Sequence, residues 1–104
     1  MSYKIEKNGW VFIHIEGKPY ERGVQYGKLV ADQLKICINT TKFYCLFDYG
    51  KDWNFFIESA REIYKKRIKN NYPEFYDEMR GIADGCIKAG FKTSLDEIIA
   101  WNSV

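Results

Sequence analysis

The chain has 104 residues and a mass of 12.3 kDa, which is enough for one domain and too little for two. Hydrophobic residues make up 46% of it and charged residues 29%, a composition that excludes an intrinsically disordered protein. The formal net charge is only +2, so the overall balance gives no reason to expect nucleic acid or an anionic membrane as a partner. Aromatic residues reach 17%, and so many rings need a large surface to bury against.

Residues 3–15 predict a β-hairpin. Two short strands, Tyr3–Lys7 and Trp10–Ile15, flank Asn8-Gly9, the dipeptide that best tolerates the positive φ angles of a type I′ turn. In the second strand, large apolar side chains occur on both faces. A strand of this kind fits the interior of a larger sheet better than a free hairpin.

Four helices are predicted after the hairpin, because apolar residues recur there every three or four positions. Each start carries a proline at the first helical position or a capping side chain, namely Pro19, Asp52, Pro73 and either Thr93 or Ser94. The expected stops are Gly50, Asn70-Asn71 and Gly90.

Small residues recur at every fourth position in the first and third predicted helices. They are Gly23, Gly27 and Ala31 in the first and Gly81, Gly85 and Ala89 in the third. An interior glycine costs a helix roughly 1 kcal/mol relative to alanine, so we expect another helix or a sheet to pack unusually close to each row. Transmembrane helices use the same device, but charged residues such as Asp32 and Asp84 interrupt these segments.

Side-chain chemistry alone predicts no active site. Cys37, Cys45 and Cys86 are odd in number and lack CxxC spacing, which indicates reduced thiols that behave as small buried hydrophobes. His14 is the only histidine, so we expect neither a metal site nor a catalytic base. Glu16 lies at the strand end, but one carboxylate without a partner does not indicate a site. No glycine-rich phosphate loop is present, and we expect no cofactor.

Residues 1–4 are followed by no apolar stretch and cleavage site of the signal-peptide type, and no apolar run approaches the roughly 20 residues of a membrane span. We therefore expect a cytoplasmic protein without a transmembrane segment.

Several stretches match one family in order and spacing. They are Glu16–Gly27, Gly50–Trp53 with Phe55-Phe56, and Pro73–Gly85, followed by Leu95–Ile98 and Asn102. Together they resemble the amino-terminal part of the self-processing acyltransferases and hydrolases related to isopenicillin N acyltransferase, with the phospholipase B-like proteins as more distant members. The resemblance covers nearly the whole chain from Gly9 onward. Two departures are Tyr26, where relatives commonly carry histidine, and Lys18, where they carry a small residue.

The resemblance implies an N-terminal nucleophile hydrolase, made as a precursor that cuts its own backbone immediately before a cysteine. The thiol of that cysteine then attacks an amide, ester or thioester carbonyl, and its freed α-amine, with an ordinary pKa of about 7.7–8.0, acts as the general base. The family's nucleophile lies beyond the position of Asn102, and none of the three cysteines here occupies that place. Residues 1–104 are therefore expected to be a non-catalytic small subunit, inactive alone, with no catalytic residue of its own.

The resemblance also implies a fold class and partners. The class is α+β: a mostly helical chain with an amino-terminal β-hairpin, forming one segment, 1–104, of a larger domain. A downstream chain that begins with the nucleophilic cysteine would complete a four-layer αββα fold. The expected substrate is a small acyl compound, lipid-like compounds included.

Tyr20 and Arg22, just past the strand end, are the predicted substrate-binding pair. The alternative is that both only fix helix packing. For the chain as a whole, the alternatives are a free-standing helical module that binds a partner protein through exposed aromatic residues, and a truncated, inactive homologue.

Overall fold

The computed structural model describes all residues, 1–104. Two strands, β1 (Tyr3–Lys7) and β2 (Trp10–His14), precede the helices α1 (Pro19–Tyr49), α2 (Trp53–Ala60), α3 (Lys66–Asn71), α4 (Pro73–Lys88) and α5 (Leu95–Ser103), and a π-helical segment, Arg61–Lys65, joins α2 to α3. None of these helices has both the length and the apolar character needed to cross a membrane.

The predicted α+β class with a four-layer αββα architecture is wrong for this chain. Helices take up 72% of the residues, and the only sheet is the antiparallel pair β1–β2. The reason is that apolar residues recur with the period of a helix from Pro19 onward. Only two five-residue strands remain to form a sheet. The structure is an α-rich bundle with a hairpin at one end.

The hairpin itself forms where the sequence predicts it. Asn8 and Gly9 have φ angles of 54° and 80°, as a type I′ turn requires, and Lys7 pairs with Trp10. Ile13 on the inner face of the hairpin packs against α1. The opposite face, called the hairpin outer face below, presents four exposed apolar side chains, those of Tyr3, Ile5, Trp10 and Phe12. Lys7 and His14 lie on the same face.

Glycines bring α1 and α4 into backbone contact. A Cβ atom added at Gly23 or Gly27 would collide with the backbone of α4, and one added at Gly81 or Gly85 would collide with the backbone of α1. For example, the added atom on Gly27 would lie 2.8 Å from the amide nitrogen of Cys86. The expectation of close packing is confirmed, and the partner of each glycine row is the other helix.

The core consists of two clusters of buried residues. The larger one joins α1, α2, α4 and α5 through Ile38, Cys45, Trp53, Ala60, Met79, Ala83, Ile98, Ile99 and Ala100. The smaller one lies under the hairpin and contains Val30, Ala31, Leu34 and Cys86. The hairpin contributes only a partly buried Ile13 to this second cluster.

The π-helical segment changes which face of the second predicted helix is buried. In a regular helix, Ile63 and Tyr64 would follow the core residues Phe56 and Ala60 on the same side. They are instead 53% and 38% exposed. A π-helical turn contains more residues than an α-helical one, so the side chains after Ala60 point in other directions. Arg61 and Lys65, at the two ends of this segment, both contact Asp96 on α5, at 2.8 Å each.

Candidate functional site

The side chains of Tyr20 and Arg22, the predicted substrate-binding pair, project from the first turn of α1, and both contact α4. The Tyr20 hydroxyl donates a 2.7 Å hydrogen bond to Oδ2 of Asp84, and this bond, reinforced by partial desolvation, raises the pKa of Tyr20. The guanidinium of Arg80 lies 4.2 Å from the centre of the same ring, a cation–π contact. Tyr20 is therefore engaged in the packing of α1 on α4.

Arg22 lies on a different side of α1, because two residues along a helix differ in direction by about 200°. Its Nη1 donates a 2.7 Å hydrogen bond to the carbonyl oxygen of Gly17, and its Nη2 lies 3.4 Å from Oε2 of Glu78. The structure thus places the two predicted residues next to different parts of α4 and does not bring them together in one pocket.

An open cleft of about 540 Å³ lies beside Arg22, between the α3–α4 connection and α4 itself. Its other lining residues are Asn71, Tyr72, Pro73, Glu74, Phe75 and Glu78. The Arg22 side chain is 35% exposed, so its guanidinium can still reach a ligand in this cleft. Of the predicted pair, only Arg22 has access to a cavity of ligand size.

A buried carboxylate that sequence reasoning missed ties three helices together. Glu97 is 8% exposed, and its two oxygens accept hydrogen bonds from Nε1 of Trp53 at 2.8 Å and from Oγ1 of Thr93 at 2.6 Å. Lys42 of α1 lies 3.8 Å away. The sequence did indicate that Ser94 could cap α5, and Ser94 does accept a hydrogen bond from the Glu97 amide. The carboxylate therefore links Thr93, just before the cap of α5, to Trp53 at the start of α2, and its role is structural.

His14 and Glu16 meet at the end of β2. The Glu16 carboxylate accepts a hydrogen bond from the amino group of Met1 and lies 3.3 Å from Nε2 of His14. Both contacts lower the pKa of Glu16, and the contact with Met1 has the larger effect. The main chain of Glu16 also exchanges two hydrogen bonds with the Gln25 side chain, at 2.8 and 2.7 Å. These contacts fix the connection between β2 and α1.

The three thiols differ in exposure. Cys45 and Cys86 are buried, and burial raises the pKa of both, that of Cys86 to about 11. Both are therefore protonated near neutral pH and poor nucleophiles. Cys37, expected to be buried with them, is exposed. No three side chains of the histidine, cysteine, aspartate or glutamate type come together as metal ligands would.

Comparison with known proteins adds one relative. The chain is 32% identical over 98 residues to an uncharacterized protein of Archaeoglobus fulgidus. The matched region covers 91% of this chain but only 16% of the archaeal protein. No protein-family model and no solved structure matches the chain.

Proposed function

We propose that residues 1–104 form the non-catalytic, amino-terminal small subunit of a self-processing enzyme of the cysteine N-terminal nucleophile type. The enzyme would hydrolyse or transfer acyl groups held in amide, ester or thioester bonds. The observation that carries the proposal is the hairpin outer face, which exposes four large apolar side chains. The archaeal relative supports it, because this chain matches only 16% of that longer protein.

The hairpin outer face has the exposed apolar side chains of an interaction surface. Trp10 and Phe12 on β2 are 69% and 55% exposed, and Tyr3 and Ile5 on β1 lie beside them on the same face. A two-stranded hairpin is only marginally stable by itself, and contiguous exposed apolar surface marks an interaction site. We assign this surface to the downstream catalytic chain.

The thiols of this chain support a nucleophile supplied from elsewhere. Cys45 and Cys86 are buried and protonated. Cys37 is exposed, but the cavity that it borders is lined by no basic side chain, whereas acyl transfer needs a thiolate in reach of a base and of the substrate. In the proposed enzyme, the first cysteine of the downstream chain is that nucleophile, and its own α-amine removes the thiol proton. The role of the small subunit is to stabilise that chain and to form one wall of the substrate site.

Arg22 is the residue of this chain that we assign to the substrate. Its guanidinium borders the open cleft, and a guanidinium binds carbonyl or carboxylate oxygens by charge-assisted hydrogen bonds. Tyr20 would act through Arg80 and Asp84, by holding the start of α1 against α4. Changing Arg22 to Gln should raise KM for the acyl substrate, whereas the exposed Lys88 changed to Gln should leave KM as it is.

The test of the proposal is intact-mass analysis of the natively purified protein. We expect a second polypeptide in the complex that begins with cysteine. Changing that cysteine to alanine should leave a single unprocessed polypeptide. Normal processing in the alanine variant, or a native protein that contains no second polypeptide, would contradict the proposal.

A second candidate function is a free-standing helical module that binds a partner protein. The observation that favours it is the exposed aromatic cluster on the second half of α1, where Phe43 and Phe47 stack at 6.0 Å. If the 104-residue chain alone is monomeric and unfolds cooperatively, this second function is favoured over the subunit.

A further inference from the structure

The cleft beside Arg22 is lined by charged side chains of both signs. They are the guanidinium of Arg22 and the carboxylates of Glu74 and Glu78. The side chains of Arg22 and Glu78 are 35% and 34% exposed, and Glu74 is exposed as well. The cleft can therefore offer a ligand one partner for a negative group and two partners for a positive group.

The opposite charges of this cleft lie close together. Nη2 of Arg22 is 3.4 Å from Oε2 of Glu78, which is longer than the about 2.7–2.9 Å typical of such pairs. A guanidinium has five N–H donors, and the contacts of Arg22 with Gly17 and Glu78 use only two of them. Arg22 therefore keeps donors for a carboxylate of a ligand while its contacts within the chain stay in place.

Two aromatic rings line the same cleft as the charged side chains. Tyr72 and Phe75 are 64% and 49% exposed. The cavity volume of about 540 Å³ lies within the range of about 300–1,000 Å³ that is typical of small-molecule sites. The cleft therefore fits a small organic molecule that has an apolar group next to two opposite charges.

We propose that this cleft binds a free α-amino acid with an aromatic side chain. The carboxylate of the ligand binds the guanidinium of Arg22, and its ammonium group lies between the carboxylates of Glu74 and Glu78. The ring of the ligand packs on Tyr72 and Phe75. An α-amino acid carries both charged groups on one carbon, so they are as close together as the charges of the cleft. An amine or an acid alone would leave one sign of charge in the cleft without a partner.

In the proposed enzyme, this amino acid is the amine that hydrolysis of an N-acyl amide releases. Water adds to the acyl carbon, the bond from that carbon to nitrogen breaks, and the nitrogen takes up the proton. This role rests on the proposed function, whereas binding of the amino acid does not.

The test is equilibrium dialysis of the natively purified protein with radiolabelled L-phenylalanine. Two competitors keep the ring but lack one charge each, since 2-phenylethylamine has only the ammonium group and 3-phenylpropanoate has only the carboxylate. We expect saturable binding of L-phenylalanine. Each competitor should bind at least about fivefold more weakly than unlabelled L-phenylalanine, because each lacks one charge-assisted contact.

Two variants separate a role in binding from a role in packing. Arg22→Gln should weaken the binding of L-phenylalanine at least about fivefold without weakening that of 2-phenylethylamine, which has no carboxylate. Glu74→Gln should weaken the binding of both amines without weakening that of 3-phenylpropanoate. Glu62→Gln and Lys88→Gln, at exposed positions outside the cleft, are the matched controls and should bind all three compounds as the wild type does.

The absence of saturable binding would overturn the inference. So would an Arg22→Gln variant that loses affinity for all three compounds equally, because only loss of packing would then explain it. A native complex that contains the second polypeptide but binds no L-phenylalanine would overturn the inference and leave the proposed function in place.

Discussion

The indole Nε1 of Trp53 donates a 2.8 Å hydrogen bond to Oε2 of Glu97, and both side chains are buried. Trp53 is the first residue of α2, and Glu97 lies in the first turn of α5. A single pair of side chains therefore joins the starts of two helices that are 44 residues apart in sequence. Thr93 Oγ1 donates a hydrogen bond to the other carboxylate oxygen, so each oxygen of the buried Glu97 carboxylate accepts a hydrogen bond.

We expect Glu97→Leu to lower the free energy of unfolding by about 2–3 kcal/mol. The substitution leaves the buried Trp53 Nε1 without an acceptor and removes the acceptor of the part-buried Thr93 Oγ1. An unsatisfied buried donor costs about 1–3 kcal/mol. Urea denaturation followed by circular dichroism measures the change. The control is Glu62→Leu in the exposed part of the π-helical segment, which should stay within about 0.5 kcal/mol of the wild type. Equal stability of the two variants would show that the hydrogen bonds contribute nothing.

Because α1 and α4 touch at their glycines, we expect a Gly→Ala substitution to destabilise the protein, although alanine favours a helix more than glycine does. Gly85→Ala should favour the isolated helix by roughly 1 kcal/mol, yet the new methyl group would meet the backbone of Val24 and Lys28. We expect the collision to dominate, with a net loss of at least about 2 kcal/mol, because a backbone cannot move aside as a flexible side chain can. Thermal denaturation measures it, and Lys88→Ala on the exposed end of the same helix serves as control. A more stable Gly85→Ala variant would mean that the two helices are further apart than the structure has them.

Local signals in the sequence predicted the elements and their ends. Asn8-Gly9 marked the turn of the hairpin, and Asp52 accepts a 2.9 Å hydrogen bond from the Phe55 amide as a capping residue should. These features depend on a few neighbouring residues, and residues close in sequence are enough to specify them. The glycine rows likewise predicted a close contact, although the sequence could not say whether a helix or a sheet would make it.

Features that depend on distant residues could not be predicted. Arg61 and Lys65 of the π-helical segment both contact Asp96, some thirty residues later, and no local pattern of residues indicates these contacts. Tyr20 and Arg22 are neighbours in sequence, but the direction of each side chain on α1 separates them. The prediction that Tyr20 and Arg22 bind substrate stays a prediction.

The exposure of the cysteines predicts which thiol reacts. Cys37 is exposed, whereas Cys45 and Cys86 are buried and their pKa values are raised. With a chromogenic disulfide reagent at about pH 8, we expect one thiol to react quickly in the folded protein and all three in denaturant. Cys37→Ser should remove the fast reaction, and Cys86→Ser should retain it. A fast reaction that survives in Cys37→Ser would show that one of the buried thiols is reached by opening of the fold.

The ion pairs of Asp96 predict how stability depends on pH. Burial alone would raise the pKa of Asp96, but the hydrogen bonds from Lys65 and Arg61 together outweigh it and hold the pKa below its ordinary value of 3.8. The folded state therefore binds this proton less readily than the unfolded state, so the contribution of Asp96 to stability is complete well above pH 3.8 and is lost as the pH falls through the lowered value.

Asp96→Asn should accordingly reduce the free energy of unfolding near neutral pH by on the order of 1 kcal/mol. Below the lowered pKa, the variant and the wild type should become equally stable, because the wild-type side chain is then neutral too. Urea denaturation at a series of pH values between about 2 and 7 measures the difference. Asp32→Asn, at an exposed position of α1, is the matched control. Its free energy of unfolding should depend on pH in the same way as that of the wild type. A difference between Asp96→Asn and the wild type that is the same at every pH would contradict the role of the ion pairs, because only loss of packing would then explain it.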